Sequence, residues 1–104
     1  MMQILWSERA YARRQAIEDY ILLSFGHVAW SQYVEAIEEW KKLVRKNPQI
    51  GPIEPLLEGG RKQYRSFVIA NQTKCIYYVE DECIMIADWW DTRRSITHLT
   101  SNVV

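Results

Sequence analysis

Residues 74–94, KCIYYVEDECIMIADWWDTRR, constrain the fold more than any other stretch. Two runs rich in β-branched and aromatic residues, Lys74-Cys75-Ile76-Tyr77-Tyr78-Val79 and Cys83-Ile84-Met85-Ile86-Ala87-Asp88-Trp89-Trp90, flank an acidic turn, Glu80-Asp81-Glu82. This pattern predicts a β-hairpin. Both strands are almost continuously apolar, so both faces are expected to be covered, one of them by a partner. The hairpin empties into Asp91-Thr92-Arg93-Arg94. Charged side chains at the end of a buried strand can be held rigidly at a surface, which marks this end for recognition or chemistry.

The rest of the chain supplies helices and one more strand. Gln3-Ile4-Leu5-Trp6 reads as a short strand, and Ser7 as a helix N-cap with Glu8 in the first turn. Ala10, Ile17 and Ile21, with Tyr20 and Ser24 beside them, recur at helical spacing until Phe25-Gly26, so the first helix spans about 8–25. A second helix starts near 27–29. Ala29, Tyr33, Ala36, Ile37, Trp40 and Val44 form one apolar stripe on it. Glu35, Glu38 and Glu39 precede Lys41, Lys42, Arg45 and Lys46, an order that complements the helix dipole and allows a Glu38 to Lys42 pair. Trp30 falls off the stripe, which places it in the hinge or at an interface. Asn47-Pro48 ends the helix. Residues 47–62 hold all three prolines and three of the four glycines, yet Ile50, Ile53, Leu56 and Leu57 suit a loop that caps a core. A strand over 63–70 places Tyr64, Ser66 and Val68 on one face and Arg65, Phe67 and Ile69 on the other. The polar tail from Ser95 is expected to be partly ordered at best after His98.

The predicted order is therefore β-α-α-β-β-β. The expected fold is α+β, with a two-helix hairpin packed on one face of a small, mainly antiparallel β-sheet. The 104 residues suit a single domain spanning 1–104. A 48% hydrophobic and 25% charged composition is that of a globular chain, and with no apolar run near the roughly 18–20 residues that span a bilayer, a cytoplasmic protein is expected. The N-terminal stretch has no secretory character. Cys75 and Cys83 lie on opposite arms of the hairpin at positions not directly opposed, so two reduced thiols are the simpler reading. A formal net charge of zero removes global steering towards nucleic acid.

Several catalytic signatures are missing. No phosphate-binding G-x-x-x-x-G-K-[ST] loop and no G-x-S-x-G elbow occur. His27 and His98 have no ligand spacing to the cysteines, and neither a metal nor a cofactor is expected. Asp88 and Asp91, three apart on a strand, point to opposite faces and make a poor acid–base pair. What remains is a cationic set: Arg65, Lys74, Arg93 and Arg94, with His98 and Tyr64 or Tyr78. Such a set suits metal-free RNA cleavage. There a 2′-hydroxyl attacks its own phosphate, cations hold the phosphorane charge, and His98 is the one group titrating near neutrality. The alternative is that these cations pair with Asp88, Asp91 and the turn acids at a sheet edge; residue types alone favour that alternative.

The layout and several strings resemble the RelE/ParE superfamily of bacterial type II toxin–antitoxin toxins. The resemblance rests on Ile4-Leu5-Trp6-Ser7 with Ala10, on Ile17 with Tyr20-Ile21, and on Asn47-Pro48, Gly51 and Glu54-Pro55. It continues through Tyr64-Arg65-Ser66, Ile76-Tyr77-Tyr78 and the closing IADWWDTRR, which looks most like the plasmid-stabilisation branch. It covers roughly residues 3–95. It implies a growth-arresting toxin held inactive by a cognate antitoxin that wraps it with a helix and an extended segment, and it allows a homodimer or a toxin–antitoxin hetero-oligomer. RelE-like members cut mRNA in the ribosomal A site; Lys74 and Arg93 stand at the positions of two family arginines. ParE-like members lack RNase activity and poison DNA gyrase. This chain departs from the RelE pattern in its pI of about 6.7 and in having only His98, not a tyrosine, after Arg94. Ribosome-dependent mRNA cleavage through Arg65, Lys74, Arg93, Arg94 and His98 is the expectation carried forward. The alternatives are a ParE-like gyrase inhibitor without enzymatic activity and a non-toxic interaction module of the same fold.

Overall fold

A computed structural model describes residues 2–70 and 73–92. The element order is β1 (Gln3–Trp6), α1 (Glu8–Phe25), α2 (His27–Lys46), a 3-10 turn (Pro55–Leu57), β2 (Arg65–Ile69), β3 (Thr73–Glu80) and β4 (Cys83–Asp91). The four strands form one sheet in the order β1-β4-β3-β2. β2, β3 and β4 pair antiparallel, while β1 lies parallel to β4, from Gln3 beside Cys83 to Trp6 beside Ile86. The predicted α+β layout is the one observed. Arg93, Arg94, His98 and the rest of the tail lie outside the described residues.

Local signals act as their chemistry requires. The Ser7 hydroxyl accepts from the Ala10 N–H at 3.0 Å and donates to the Ala87 carbonyl at 2.9 Å, so one side chain both caps α1 and ties it to β4. Gly26 separates the helices at φ 94° and ψ 178°, a region that is glycine's alone. Trp30 sits in this hinge, its ring 5.2 Å from that of His27. The hairpin turn is two residues, Asp81 and Glu82, both at positive φ (53° and 61°), shorter than the three-residue turn expected. The predicted Glu38 to Lys42 pair is replaced by i,i+3 pairs, Glu38 with Lys41 at 3.2 Å and Glu39 with Lys42 at 3.5 Å. Such exposed pairs are worth little in either register.

The core lies between the helices and the sheet. Tyr33, Ile37, Trp40 and Val44, four residues of the α2 stripe, are buried with Ala10, Cys75, Tyr77, Ile84, Ile86 and Trp89. Ile17 and Ile21 pack against this cluster, whereas Tyr20 and Ser24 face solvent. Trp40 is the hub, with ring centroids 5.9 Å from Tyr77 and 6.3 Å from Trp89. One set of polar tips inside is matched: Trp89 Nε1 donates to the Tyr33 hydroxyl at 2.8 Å, and that hydroxyl shares a 2.7 Å bond with Thr73, whereas Trp40 Nε1 and Trp90 Nε1 are buried without a partner among the described residues. A smaller cluster of Leu57, Tyr64, Ile76 and Trp90 covers part of the opposite face with the 3-10 segment. Both cysteines are free thiols.

A β-bulge decides which residues reach which face. Ile76 opposes Asp88 but Tyr77 opposes Ile86, so Ala87 is an extra residue in β4. Before it Ile84 and Ile86 face the helices; after it Trp89 does, and Asp88 and Trp90 turn to the other face. Asp88 is fully buried at the strand edge, where the Arg13 guanidinium of α1 meets both carboxylate oxygens at 2.7 Å.

Another contact point fixes the long loop. The Tyr77 hydroxyl accepts from the Gly51 N–H and donates to the Pro48 carbonyl, each at 2.9 Å. A β-carbon on Gly51 would stand 2.4 Å from the Ser66 carbonyl oxygen and 2.9 Å from the Tyr77 hydroxyl. Gly51→Ala is therefore expected to cost about 1–3 kcal/mol, as overpacking against backbone does. Tyr77→Phe, which leaves the Gly51 N–H without an acceptor, is expected to cost a similar amount. Denaturant melts of the two variants against wild type check both.

Candidate functional site

Arg65 opens β2 and is paired with Tyr77, so it projects on the helix side of the sheet. Its guanidinium donates to the Gly51 carbonyl at 2.9 Å and reaches the Gln49 carbonyl at 3.5 Å. Lys74 is three residues from Tyr77 on β3 and is paired with Val68 and Trp90, which puts it on the other side. The two described members of the cationic set thus stand on opposite faces, and one phosphate cannot meet both. Arg93, Arg94 and His98 fall outside the described residues.

Of the two described cations of the set, Lys74 pairs with an acid that the alternative reading did not name, and Arg65 is held by backbone carbonyls. The Lys74 ammonium forms an ion pair with Glu54, a residue 1% exposed, rather than with Asp88 or the hairpin acids. Asp88 belongs to Arg13, and Glu80 pairs with Lys62. By the register Asp88 and Asp91 do take opposite faces, Asp88 beside Ile76 and Asp91 beside Thr73.

Glu54 is the residue the sequence reading passed over. It caps the 3-10 turn, accepting from the Leu56 N–H at 3.0 Å, with Pro55 in the first turn position. An acidic residue before a proline and an apolar pair was the available signal. Burial raises the Glu54 pKa, but Lys74, the Leu56 N–H and the Ser66 hydroxyl outweigh it and leave the carboxyl below its ordinary value. Glu54 is therefore ionised at neutral pH with its oxygens engaged, which makes it a weak proton acceptor. Tyr64 and Tyr78 meet edge to face at 5.7 Å on the same side of the sheet, with Lys62 over the Tyr78 ring at 5.4 Å. Among the described residues no group of His, Cys, Asp and Glu is arranged to hold a metal ion.

Open surfaces flank this framework. The tip of the helical hairpin exposes Leu22, Leu23, Phe25 and Val28, and no residue from 20 to 30 carries a formal charge. Leu5 on β1 and Val68 on β2 are exposed along the outer strands. A cleft of about 750 Å³ lies where the end of α2, the 61–65 stretch and the end of β3 meet. Patches of this kind are what a protein partner covers. Among the described residues no helix is long and apolar enough to cross a membrane.

This arrangement has counterparts among known proteins. The fold is similar to a solved structure titled "Chromosomal ParDE TA system from P. aeruginosa", with a TM-score of 0.68, 21% identity, and coverage of 88% of this chain and 96% of that one. It is also similar to "The structure of YoeB dimer from Staphylococcus aureus", with a TM-score of 0.57, 24% identity, and coverage of 84% and 92%. At these identities the likeness speaks to the fold alone. A comparison with curated proteins gives no match. The sequence model described as "ParE toxin of type II toxin-antitoxin system, parDE" matches residues 4–95, nearly the whole chain. The chain belongs to the ParE toxin family of type II toxin–antitoxin systems.

Proposed function

We propose that this toxin arrests growth by binding and inhibiting DNA gyrase, without RNA-cleaving chemistry of its own. The observation that carries the reading is the placement of Arg65 and Lys74 on opposite faces, Lys74 held by an ionised, buried Glu54. A metal-free RNase needs its cations on one face, free to meet the charge that develops on a phosphorane. Here one cation is neutralised by an internal acid and the other is anchored on backbone carbonyls. Formal neutrality of the whole chain favours a protein target over a polyanionic one. The ParE family match favours the same target class. A cognate antitoxin is the partner that restrains the activity, and the cytoplasm, where gyrase acts, is the compartment the reading requires.

Induced expression in a bacterial host, with thymidine and methionine incorporation followed in parallel, tests the target. The expected result is an early fall in DNA synthesis with translation spared, together with inhibition of purified gyrase in a supercoiling assay. An early loss of translation, with mRNA cut at ribosomes, returns the assignment to the RNase reading. Unaffected growth with folded protein present leaves only a non-toxic interaction module.

The structural role of Lys74 has its own test. Because the Glu54 pKa is lowered on folding, its stabilising contribution is fully present above the unfolded value near 4.5 and is lost as pH falls through the folded value below that. Lys74→Met leaves a buried carboxylate unpaired and is expected to cost roughly 3 kcal/mol at neutral pH. Glu54→Gln is expected to be destabilised at neutral pH and to converge with wild type as the pH falls through the lowered Glu54 value of the folded protein. Chemical denaturation of the three proteins across the acid range checks this; a constant gap at every pH would mean that the pair contributes nothing through ionisation.

A further inference from the structure

α1 turns Ala10, Ile17 and Ile21 into the main core. On its opposite side Arg9, Ala12, Ala16, Asp19 and Leu23 are all exposed, Leu23 at 86%. They follow one another at spacings of three, four, three and four residues. That spacing keeps all five on one line along the helix, as a helix-pairing seam requires. A solvated helix face is ordinarily polar along its length. This line has one cation and one anion, with apolar side chains between and beyond them.

The two charges are unspent. Arg13, Arg14 and Glu18 of the same helix are engaged, Arg13 with Asp88 and Arg14 with Glu18. Arg9 and Asp19 have no ion-pair partner among the described residues. A second copy of the helix supplies one for each. In an antiparallel pair about a two-fold axis at residue 14, Arg9 of each copy lies opposite Asp19 of the other, and Ala12 lies opposite Ala16. Small side chains at the centre permit a close approach of the two axes. A parallel pair would set each charge against its own copy, which is repulsive.

The same register carries Leu23 past the start of the other helix, and the fold fixes what lies there. β1 ends beside Ile86, and α1 follows beside Ala87 and Asp88 through Ser7 and Arg13. β1 and α1 therefore line the same side of β4, one after the other. β1 is the outermost strand on that side, carries no formal charge from Met2 to Ser7, and exposes Leu5 at 43%. Such an edge is open to a neighbour. The other edge of the sheet is guarded: Ile53 bridges to Arg65, and the Ser66 N–H donates to the Pro52 carbonyl.

The area is sufficient. The helices overlap over about thirteen residues, roughly 20 Å. With Leu23 on the Leu5 edge at both ends, the contact covers on the order of 700 Å² per copy, within the roughly 600–1,000 Å² per partner of specific interfaces.

We infer that two copies of this chain associate through the outer faces of α1, antiparallel about a two-fold axis near Arg14. Reciprocal Arg9 to Asp19 pairs set the register, and Leu23 of each copy covers the β1 edge of the other. The inference concerns assembly and is independent of the gyrase reading.

Sedimentation equilibrium of the full-length chain, from micromolar to millimolar concentration, tests it. The expected result is a concentration-dependent doubling of mass. Ala16→Arg, which puts a bulky cation at the closest approach, should leave a monomer. Arg9→Asp and Asp19→Arg should each weaken association roughly tenfold, because both pairs turn repulsive. The double variant carrying Arg9→Asp and Asp19→Arg restores attraction and should recover most of the wild-type affinity. All three sites are exposed, so circular dichroism should show the fold retained; if Ala16→Arg unfolds, the charge reversals carry the test alone. A monomer at every concentration overturns the inference and leaves this face to a different protein. A dimer indifferent to Ala16→Arg, or a double variant no tighter than either single one, also overturns it, because the contact would then lie elsewhere or in another register.

Discussion

The single extra residue in β4 is what the rest of the molecule depends on. Without the bulge at Ala87, strict alternation would send Asp88 and Trp90 into the helix-facing core and Trp89 to the other side. A carboxylate turned into that apolar core would cost several kcal/mol unless it were paired. The bulge moves Trp89 onto Trp40 and Tyr33, Trp90 onto Ile76, and the Asp88 carboxylate to the edge where α1 supplies Arg13. Ser7 reads the same irregularity from β1: its N–H bonds to Ile86 and its hydroxyl to Ala87. The join between helix and sheet is thus set by hydrogen bonds converging on a local defect in the ladder.

How the charges are arranged follows from this. A chain of zero formal net charge can still present strong local fields if its cations are grouped. In this molecule several are distributed to dedicated acids instead: Arg13 to Asp88, Arg14 to Glu18 at 2.6 Å, Lys62 to Glu80, Lys74 to Glu54. The Lys74 and Glu54 pair fastens the loop segment that covers the second apolar cluster, just as Arg13 fastens α1. A cation held this way orients an element of the fold and is poorly placed to follow the charge of a reacting group. Arg65 differs, because dipoles rather than a counter-charge hold it.

Much of this architecture was legible in the residues. The apolar stripe of α2, the Ser7 cap, the glycine break between helices and the alternation of 65–69 all come from local periodicity and local hydrogen-bonding chemistry, which a sequence displays directly. The relation between strands was not displayed. That Arg65 and Lys74 take opposite faces depends on the register between β2 and β3, and register is a property of two segments together. The bulge was equally hidden, since Ala87-Asp88-Trp89 is compatible with regular alternation until packing decides. Glu54 escaped notice because a buried acid in a proline-rich loop has meaning only once the lysine beneath it is placed. The loop's role as a cover was visible in Ile50, Ile53, Leu56 and Leu57, of which Leu57 is the one fully buried.

The strand order has a consequence for how the chain comes into being. The first strand lies beside the last, with β4 as an interior strand between β1 and β3. On a ribosome, residues 3–80 emerge before the segment that unites them. Until β4 is clear of the exit tunnel, β1 has no neighbour and the core lacks Ile84, Ile86 and Trp89. Closing a loop of nearly the full chain length is entropically slow, and sheets of such non-local pairing fold late. The nascent toxin is therefore incomplete for almost the whole of its synthesis, and a surface that recognises its target can be assembled only after the last of its strands has been made.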